Sequence, residues 1–221
     1  AGTTRTIRHY QSNAAANTLT SSEITARGEW TLVNSWTHAS IMHGYISAAY
    51  DRQTNTLFTV YNDDDADLLL ARNPNQTGWE AAITVQASSA SHQGGELYRA
   101  LYAHIVPMGN NAADLMWIRA FNQSNYDQVV YRRVTNISTA TMDAAIILLD
   151  RSPGQPADPL LVSNPYVFAG MDGYIHAMYW RGDTNQHFHV RRSGNDAFST
   201  AISISAADPS SRSYRQYGVF T

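Results

Sequence analysis

Four arginines recur at matching places in the sequence, each at the end of a short segment with apolar residues. They are Arg27, Arg72, Arg133 and Arg192. A guanidinium presents five N–H donors in a rigid fork, a geometry suited to vicinal hydroxyls or to carboxylates. A role that recurs in every repeat is also what an architecture requires, with each arginine bound to backbone carbonyls of the next repeat. We favour this structural interpretation and keep ligand binding as the alternative.

An acidic cluster lies in a turn between two predicted strands. It consists of Asp63, Asp64, Asp65 and Asp67. Closely spaced carboxylates could hold a hard cation such as calcium, but the glycine and the distal glutamate of a helical calcium loop are missing. Aspartate is also a common turn residue in its own right. We therefore predict no cofactor, with calcium at Asp63, Asp65 and Asp67 as the alternative.

Two histidines, His187 and His189, lie two positions apart on a predicted strand. Residues at this spacing project from the same face of a strand, which is a workable geometry for a transition metal. The sequence does not indicate a third ligand. We expect solvated histidines on an exposed strand and predict no metal site.

Motifs of an activated nucleophile are missing from the sequence. The chain has no cysteine, no Gly-x-Ser-x-Gly elbow and no glycine loop that could cradle a phosphate. The Ser-x-Asp-x-Gly-x-x-Trp boxes of sialidase-type propellers are missing too, and the scattered acids do not indicate the facing pair that glycosidase chemistry needs. The sequence therefore favours binding over catalysis and leaves the question of enzyme activity open.

The composition excludes several classes of partner. A net charge of −3 and a pI of 6.2 provide no long-range attraction for phosphate backbones or anionic membranes. No apolar run approaches the roughly 18 residues that a membrane helix needs. We expect no nucleic acid partner, no membrane insertion, and a soluble protein that is either secreted or cytoplasmic.

Short β-rich segments fall into four recurring types, named A to D here, which follow one another with a period of about 55 residues. Strand A begins with a tyrosine expected to pack near a central axis, at Tyr45, Tyr102, Tyr166 and Tyr217. Strand B ends in an aromatic pair or an aromatic and a polar residue, at Tyr10-Gln11, Tyr61-Asn62, Phe121-Asn122 and Tyr179-Trp180. Strand C ends in the four arginines. Strand D runs from a large apolar residue into small ones, starting at Trp30, Trp79, Met142 and Phe198.

The two ends of the chain complete one repeat between them. The sequence opens with strands B, C and D of one unit and closes with an isolated strand A at 217–221. Pairing the last strand with the first unit would remove an open sheet edge, as in a closed ring of blades. We predict a single all-β domain over 1–221, a four-bladed β-propeller of four-stranded antiparallel blades. The blades are 217–221 with 1–36, about 41–88, about 98–150 and about 164–206. A β-sandwich is the alternative, but it would not predict the terminal split.

The first repeat carries a family resemblance. It reads Thr6-Ile-Arg8-His-Tyr10-Gln11, then Thr20-Ser-Ser-Glu23-Ile24, then Gly28-Glu-Trp30. This order resembles a blade of the fungal and bacterial fucose-binding propeller lectins. The resemblance covers about one blade and implies that Arg8 and Glu23 hydrogen-bond sugar hydroxyls while Trp30 stacks on the ring. The third repeat keeps Ile118-Arg119, which makes Arg119 a second, partial site.

A second resemblance starts from blade number. The segment Ile46-Ser-Ala-Ala-Tyr50, followed by a turn and an aromatic strand, is similar to the start of a hemopexin-type repeat. It implies a scaffold that binds a partner or an ion along the ring axis.

Carbohydrate binding has a basis in the composition as well, since planar polar forks and aromatic platforms hold sugars and this chain has five tryptophans and 13 tyrosines. We therefore expect a lectin that binds glycans or glycoconjugates in inter-blade grooves. A hemopexin-like scaffold is the alternative, and a propeller glycoside hydrolase is the second alternative. A homo-oligomer would raise the avidity of weak single sites.

Overall fold

A computed structural model describes residues 5–12, 30–38, 46–62, 67–87, 98–109, 111–121, 127–149, 165–181 and 184–205. Within these ranges the chain forms fifteen β-strands and one 3₁₀ turn at Pro74–Gln76. The all-β prediction is confirmed. No helix in the described ranges is long and apolar enough to cross a membrane.

The strands build four antiparallel sheets. The first is a hairpin of β1 (Arg5–Ser12) and β2 (Trp30–His38). The second contains β3 (Ile46–Asp51), β4 (Thr56–Asn62), β5 (Leu68–Asn73) and β6 (Ile83–Gln86). The third contains β7 (Tyr98–Pro107), β8 (Ala113–Phe121), β9 (Asp127–Asn136), β10 (Thr141–Met142) and β11 (Ile146–Leu149), with β10 and β11 both paired to β9. The fourth contains β12 (Tyr166–Ala169), β13 (Tyr174–Arg181), β14 (Gln186–Ser193) and β15 (Ile202–Ser203).

The second, third and fourth sheets share the strand order that the repeat predicts, each running up and down from its first strand to its last. One backbone hydrogen bond recurs at the same place in all three. The amide after the large apolar residue of strand D donates to the carbonyl of an arginine in strand C, at Glu80–Arg72 (2.9 Å), Asp143–Arg133 (2.9 Å) and Ser199–Arg191 (2.8 Å). The three sheets are therefore copies of one unit.

The arginine of the fourth sheet that matches Arg72 and Arg133 is Arg191, and the prediction of Arg192 was wrong. Successive residues of a strand point to opposite faces, so a slip of one position moves a side chain to the other side of the sheet. Arg192 points back towards the third sheet, where its guanidinium lies over the ring of Tyr131. Arg27 lies outside the described residues.

Sheets pack face to face in chain order. One apolar core joins the second sheet to the third, with Phe58, Leu70 and Val85 against Leu115 and Trp117. The other face of the third sheet forms a second core with the fourth, in which Met116 and Val129 meet Ile175 and Ala177. Successive residues of β8 lie in different cores: Leu115 and Trp117 belong to the first and Met116 to the second. Side chains of a strand alternate between its two faces, which explains this pattern.

The first strands of these three sheets lie next to one another: β3 contacts β7, and β7 contacts β12. A bulge interrupts the ladder between β7 and β8, where Tyr102 has a φ of 52°. Tyr102 and Tyr166, predicted to begin strand A, lie in β7 and at the start of β12. Tyr45 and Tyr217 lie outside the described residues.

The first sheet differs from the expected order. Trp30, predicted to begin strand D, begins β2, which pairs directly with β1 along its length. In the other three sheets the partner of strand B is strand C. Residues 24–27, predicted as strand C of this unit, and the closing segment 217–221 lie outside the described residues.

Candidate functional site

The residues predicted from the first repeat lie partly on one hairpin. Arg8 is exposed on β1 opposite Ser35, and Trp30 is half-buried opposite Ser12. Since Arg8 and Ser12 are four positions apart, the two predicted contacts share a face but are separated by about 13 Å. Tyr10 lies on this face between them and is 46% exposed. Glu23 lies outside the described residues.

The opposite face of the hairpin contacts the second sheet. Trp79 donates from Nε1 to Nδ1 of His9 at 3.1 Å, and the two rings meet edge to face. An accepting Nδ1 carries no proton, and burial lowers the pKa of His9, which favours this neutral form. The contact fixes the hairpin beside the second sheet and leaves Arg8 and Tyr10 on the other side.

Arg119 lies between the second and third sheets. Its Nε donates to Oε1 of Gln86 in β6 at 3.0 Å, and its Nη1 donates to Oε1 of Gln128 in β9 at 3.2 Å. Trp117 donates from its indole Nε1 to the same Gln86 oxygen at 2.9 Å. Two sheets thus direct an amide, a guanidinium and an indole towards one point.

Gln86 is the unusual member of this group because its amide nitrogen is unpartnered. The residue is 8% exposed, and Nε2 has no hydrogen-bond partner among the described residues. Since the oxygen already accepts two bonds, the orientation of the amide is set and the N–H groups point away from them. A buried donor without an acceptor is costly, so this nitrogen requires an acceptor that the described residues do not supply.

Arg72 and Arg133 connect successive sheets. Arg72 pairs with Glu80 at 2.6 Å and reaches across to Oγ of Ser138 in the third sheet at 2.8 Å. Arg133 donates from Nη1 to the carbonyl of Gly194 in the fourth sheet at 3.0 Å. For Arg133 the structural interpretation, a bond to a backbone carbonyl of the next repeat, is confirmed.

A buried carboxylate holds Arg133 in place. Asp114 accepts from Nε and Nη2 of Arg133 at 2.7 and 2.9 Å, and from the hydroxyl of Tyr131 at 2.7 Å. The hydrogen bond to Asp114 raises the pKa of Arg133. Burial, and then the charge of Asp114, raises the pKa of Tyr131, so the phenol stays protonated and donates. These bonds hold the Arg133 guanidinium where it reaches the fourth sheet.

A chain of three titratable side chains lies on the face of the fourth sheet that points away from the third. Nε2 of His176 lies 3.0 Å from Oδ1 of Asp172, and Nδ1 of His176 lies 2.9 Å from Nε2 of His189. A carboxylate accepts, so His176 donates from Nε2 to Asp172, and its Nδ1 shares a hydrogen bond with Nε2 of His189. Burial, and next the charge of His176, lowers the pKa of His189. The hydrogen bond from His176 lowers the pKa of Asp172.

The sequence did not indicate His176, because its contact with His189 depends on the register between β13 and β14. His176 pairs with Arg191, which makes His189 its diagonal neighbour. His187 lies on the same face, and burial lowers its pKa. Within the described ranges, no group of three or more His, Cys, Asp or Glu side chains is arranged so that it could hold a metal ion. Asp63 and Asp65 of the calcium alternative lie outside those ranges, and the backbone carbonyl of Asp67 accepts from Asn62.

No protein-family model matches the chain, and no curated protein matches it at a significant level.

Proposed function

We propose that this chain is a four-bladed β-propeller that binds carbohydrate through polar side chains between its blades. Three sheets of one repeat pack in chain order, and their first strands adjoin, which supports radial packing about an axis. The first hairpin contacts the second sheet through His9 and Trp79. Phe168 and Trp180 lie on the outer face of the fourth sheet and are 9% and 5% exposed. Their burial supports a neighbour on that side, the place that the first hairpin would take in a ring.

The main binding site in this proposal is the group formed by Gln86, Trp117, Arg119 and Gln128. The observation that carries it is the unpartnered, buried Nε2 of Gln86. A sugar hydroxyl can accept a bond from an amide and donate to a neighbouring oxygen at once, so it suits this mixture of donors and acceptors. The sequence predicted a second, partial site at Arg119, and we now place Arg119 in the main site with Gln86.

The hairpin provides a second, shallower site. Arg8 offers a guanidinium fork, and Tyr10 and Trp30 offer aromatic surface on the same face. Sugars bind such a combination by hydrogen bonds to the fork and stacking on the ring. The distance between Arg8 and Trp30 assigns stacking next to Arg8 to Tyr10.

The variant Gln86→Glu tests the main site sharply. It keeps an oxygen acceptor for Trp117 and Arg119, but it replaces the unpartnered amide nitrogen with an oxygen. The fold should be retained, since the new carboxylate faces Arg119. Loss of a hydrogen bond from a buried donor to a ligand should weaken binding by about tenfold or more.

The measurement is a glycan array with the full chain, followed by titration calorimetry of the best ligand. Gln53→Glu, at an exposed turn position, is the matched control and should bind as the wild type does. Absence of any glycan signal from folded protein would overturn the proposed function. Equal affinity of Gln86→Glu and wild type would overturn the assignment of the site.

A further inference from the structure

Arg192 is a cation enclosed by aromatic rings in the interior of the protein. The residue is 4% exposed. The carbon at the centre of its guanidinium lies 5.1 Å from the ring centroid of Tyr131 and 5.5 Å from that of Phe198. These two rings meet edge to face at 4.9 Å, so the guanidinium lies beside an aromatic pair where the third and fourth sheets meet.

One nitrogen of this guanidinium is left without an acceptor. The Nε of Arg192 is buried and has no hydrogen-bond partner within the described residues. Aromatic faces attract the charge of a guanidinium, but they do not accept its in-plane N–H groups as an oxygen does. The two rings therefore do not satisfy the Nε–H group.

The carboxylate that binds Tyr131 is already paired with another arginine. Asp114 accepts two bonds from Arg133 and one from Tyr131. Arg133 also donates to the Gly194 carbonyl and to Oδ1 of Asn195. Asp114, Arg133 and Arg192 together therefore carry a net charge of +1.

A buried charge without a counter-ion is strongly unfavourable. We propose that Arg192, beside the rings of Tyr131 and Phe198, binds a carboxylate of a ligand. The Nε and an adjacent terminal nitrogen of a guanidinium present two parallel donors, and a carboxylate accepts both. A neutral hydroxyl would satisfy one donor but leave the charge uncompensated. This site is separate from the Gln86 group and does not depend on the proposed neutral sugar site.

The test uses the full chain with sodium acetate and sodium glucuronate as probes, at ionic strength held constant with sodium chloride. Wild type should gain about 3 °C or more in thermal midpoint at tenfold excess over the dissociation constant. The Nε–H resonance of Arg192 in a ¹⁵N correlation spectrum should move in a saturable way. A response to both probes indicates recognition of the carboxylate itself, and a response to glucuronate alone indicates an acidic sugar.

Two variants on neighbouring positions separate binding from structure. Arg192→Met should abolish the thermal gain and should not lower the midpoint without probe, because it removes an unpaired charge. Arg191→Met is the matched control, since Arg191 lies on the opposite face with its side chain 52% exposed, and it should keep the gain.

Two results would overturn the proposal. One is an Arg192 resonance that stays still at saturating acetate and glucuronate. The other is an equal thermal gain in wild type and Arg192→Met. The resonance is measured on wild type, so the test stands even if the Arg192 variant fails to fold.

Discussion

Nη1 of Arg133 in the third sheet donates to the backbone carbonyl of Gly194 in the fourth sheet, 3.0 Å away. One sheet earlier in the chain, Nη2 of Arg72 reaches Ser138 at 2.8 Å. Both arginines occupy the same strand position, and both contacts fall in the turn that follows the third strand of the next sheet. The repeat thus carries its own connection between neighbouring sheets.

Removal of the Asp114 carboxylate, which holds Arg133, should strongly destabilise the fold. Asp114→Ala leaves a guanidinium and the Tyr131 hydroxyl without their acceptor in a buried place, so we expect the free energy of unfolding to fall by about 3–5 kcal/mol. Urea denaturation measures it. Asp196→Ala, at an exposed turn, should change stability by less than about 0.5 kcal/mol. A decrease in the free energy of unfolding of less than about 1 kcal/mol for Asp114→Ala would contradict the role of Asp114 in holding Arg133.

Arg72 and Arg191 occupy the same strand position but differ in their contacts, so their removal should have different effects on stability. Arg72 has a side chain that is 10% exposed and paired with Glu80, whereas that of Arg191 is 52% exposed and 4.0 Å from Asp172. Arg72→Met should lower the free energy of unfolding by about 2 kcal/mol or more, and Arg191→Met by less than about 1 kcal/mol. Equal losses in chemical denaturation would contradict the inter-sheet role of Arg72.

Two glycines of one turn should respond differently to alanine. A Cβ at Gly170 would collide with the Asp172 carboxylate and with Nε2 of His176, while at Gly173 it meets open space. Gly170→Ala should therefore break the Asp172–His176 bond and raise the pKa of Asp172, which that bond lowers, as followed by NMR titration. Gly173→Ala, at a φ of 80°, should cost about 1 kcal/mol through backbone strain and leave the pKa of Asp172 unchanged. The same pKa of Asp172 in both variants would contradict the described turn.

Stability should depend on pH through His104. Burial lowers its pKa to about 4 from 6.5. The unfolded chain then binds more protons between these two values, so stability is complete above about pH 6.5 and is lost as pH falls towards 4. The shift corresponds to about 3 kcal/mol.

The variant His104→Phe isolates this contribution, because it keeps an aromatic ring against Tyr166. Urea denaturation at pH 7 and pH 4.5 should give a smaller difference for the variant than for wild type. Identical pH profiles would show that His104 is not the group responsible.

The sequence predicted the positions of repeated strands where a recurring pattern of side chains encodes them. Strands B and C of three units fall where the aromatic and arginine positions indicated, because alternation and turn residues encode these elements locally. The start of strand D was predicted four residues too early at Trp79 and Phe198, since β6 begins at Ile83 and β15 at Ile202. The sequence assigned the repeated arginine of the fourth sheet to Arg192 instead of Arg191. Both adjacent arginines fit the pattern, and only the pairing of β13 with β14 determines which face of the sheet each side chain occupies.

Binding groups were harder to predict than strands. Gln86 is an ordinary residue at the end of a strand, and its unpartnered nitrogen depends on Trp117 and Arg119 from another sheet. His176 meets His189 across a strand pair. Such contacts join residues 13 to 33 positions apart, and no local pattern encodes them.

The central claim is that the four sheets follow one another around a closed ring. The chain has no cysteine, so pairs of introduced cysteines can carry spin labels without interference. Double electron–electron resonance would compare Arg8→Cys/Met171→Cys with Gln53→Cys/Met171→Cys, all at exposed positions. In a ring the first hairpin adjoins the fourth sheet and the second sheet lies across from it, so the distance from 8 to 171 should be the shorter of the two. A longer distance from 8 to 171 than from 53 to 171 would place the sheets in an open row and contradict the ring.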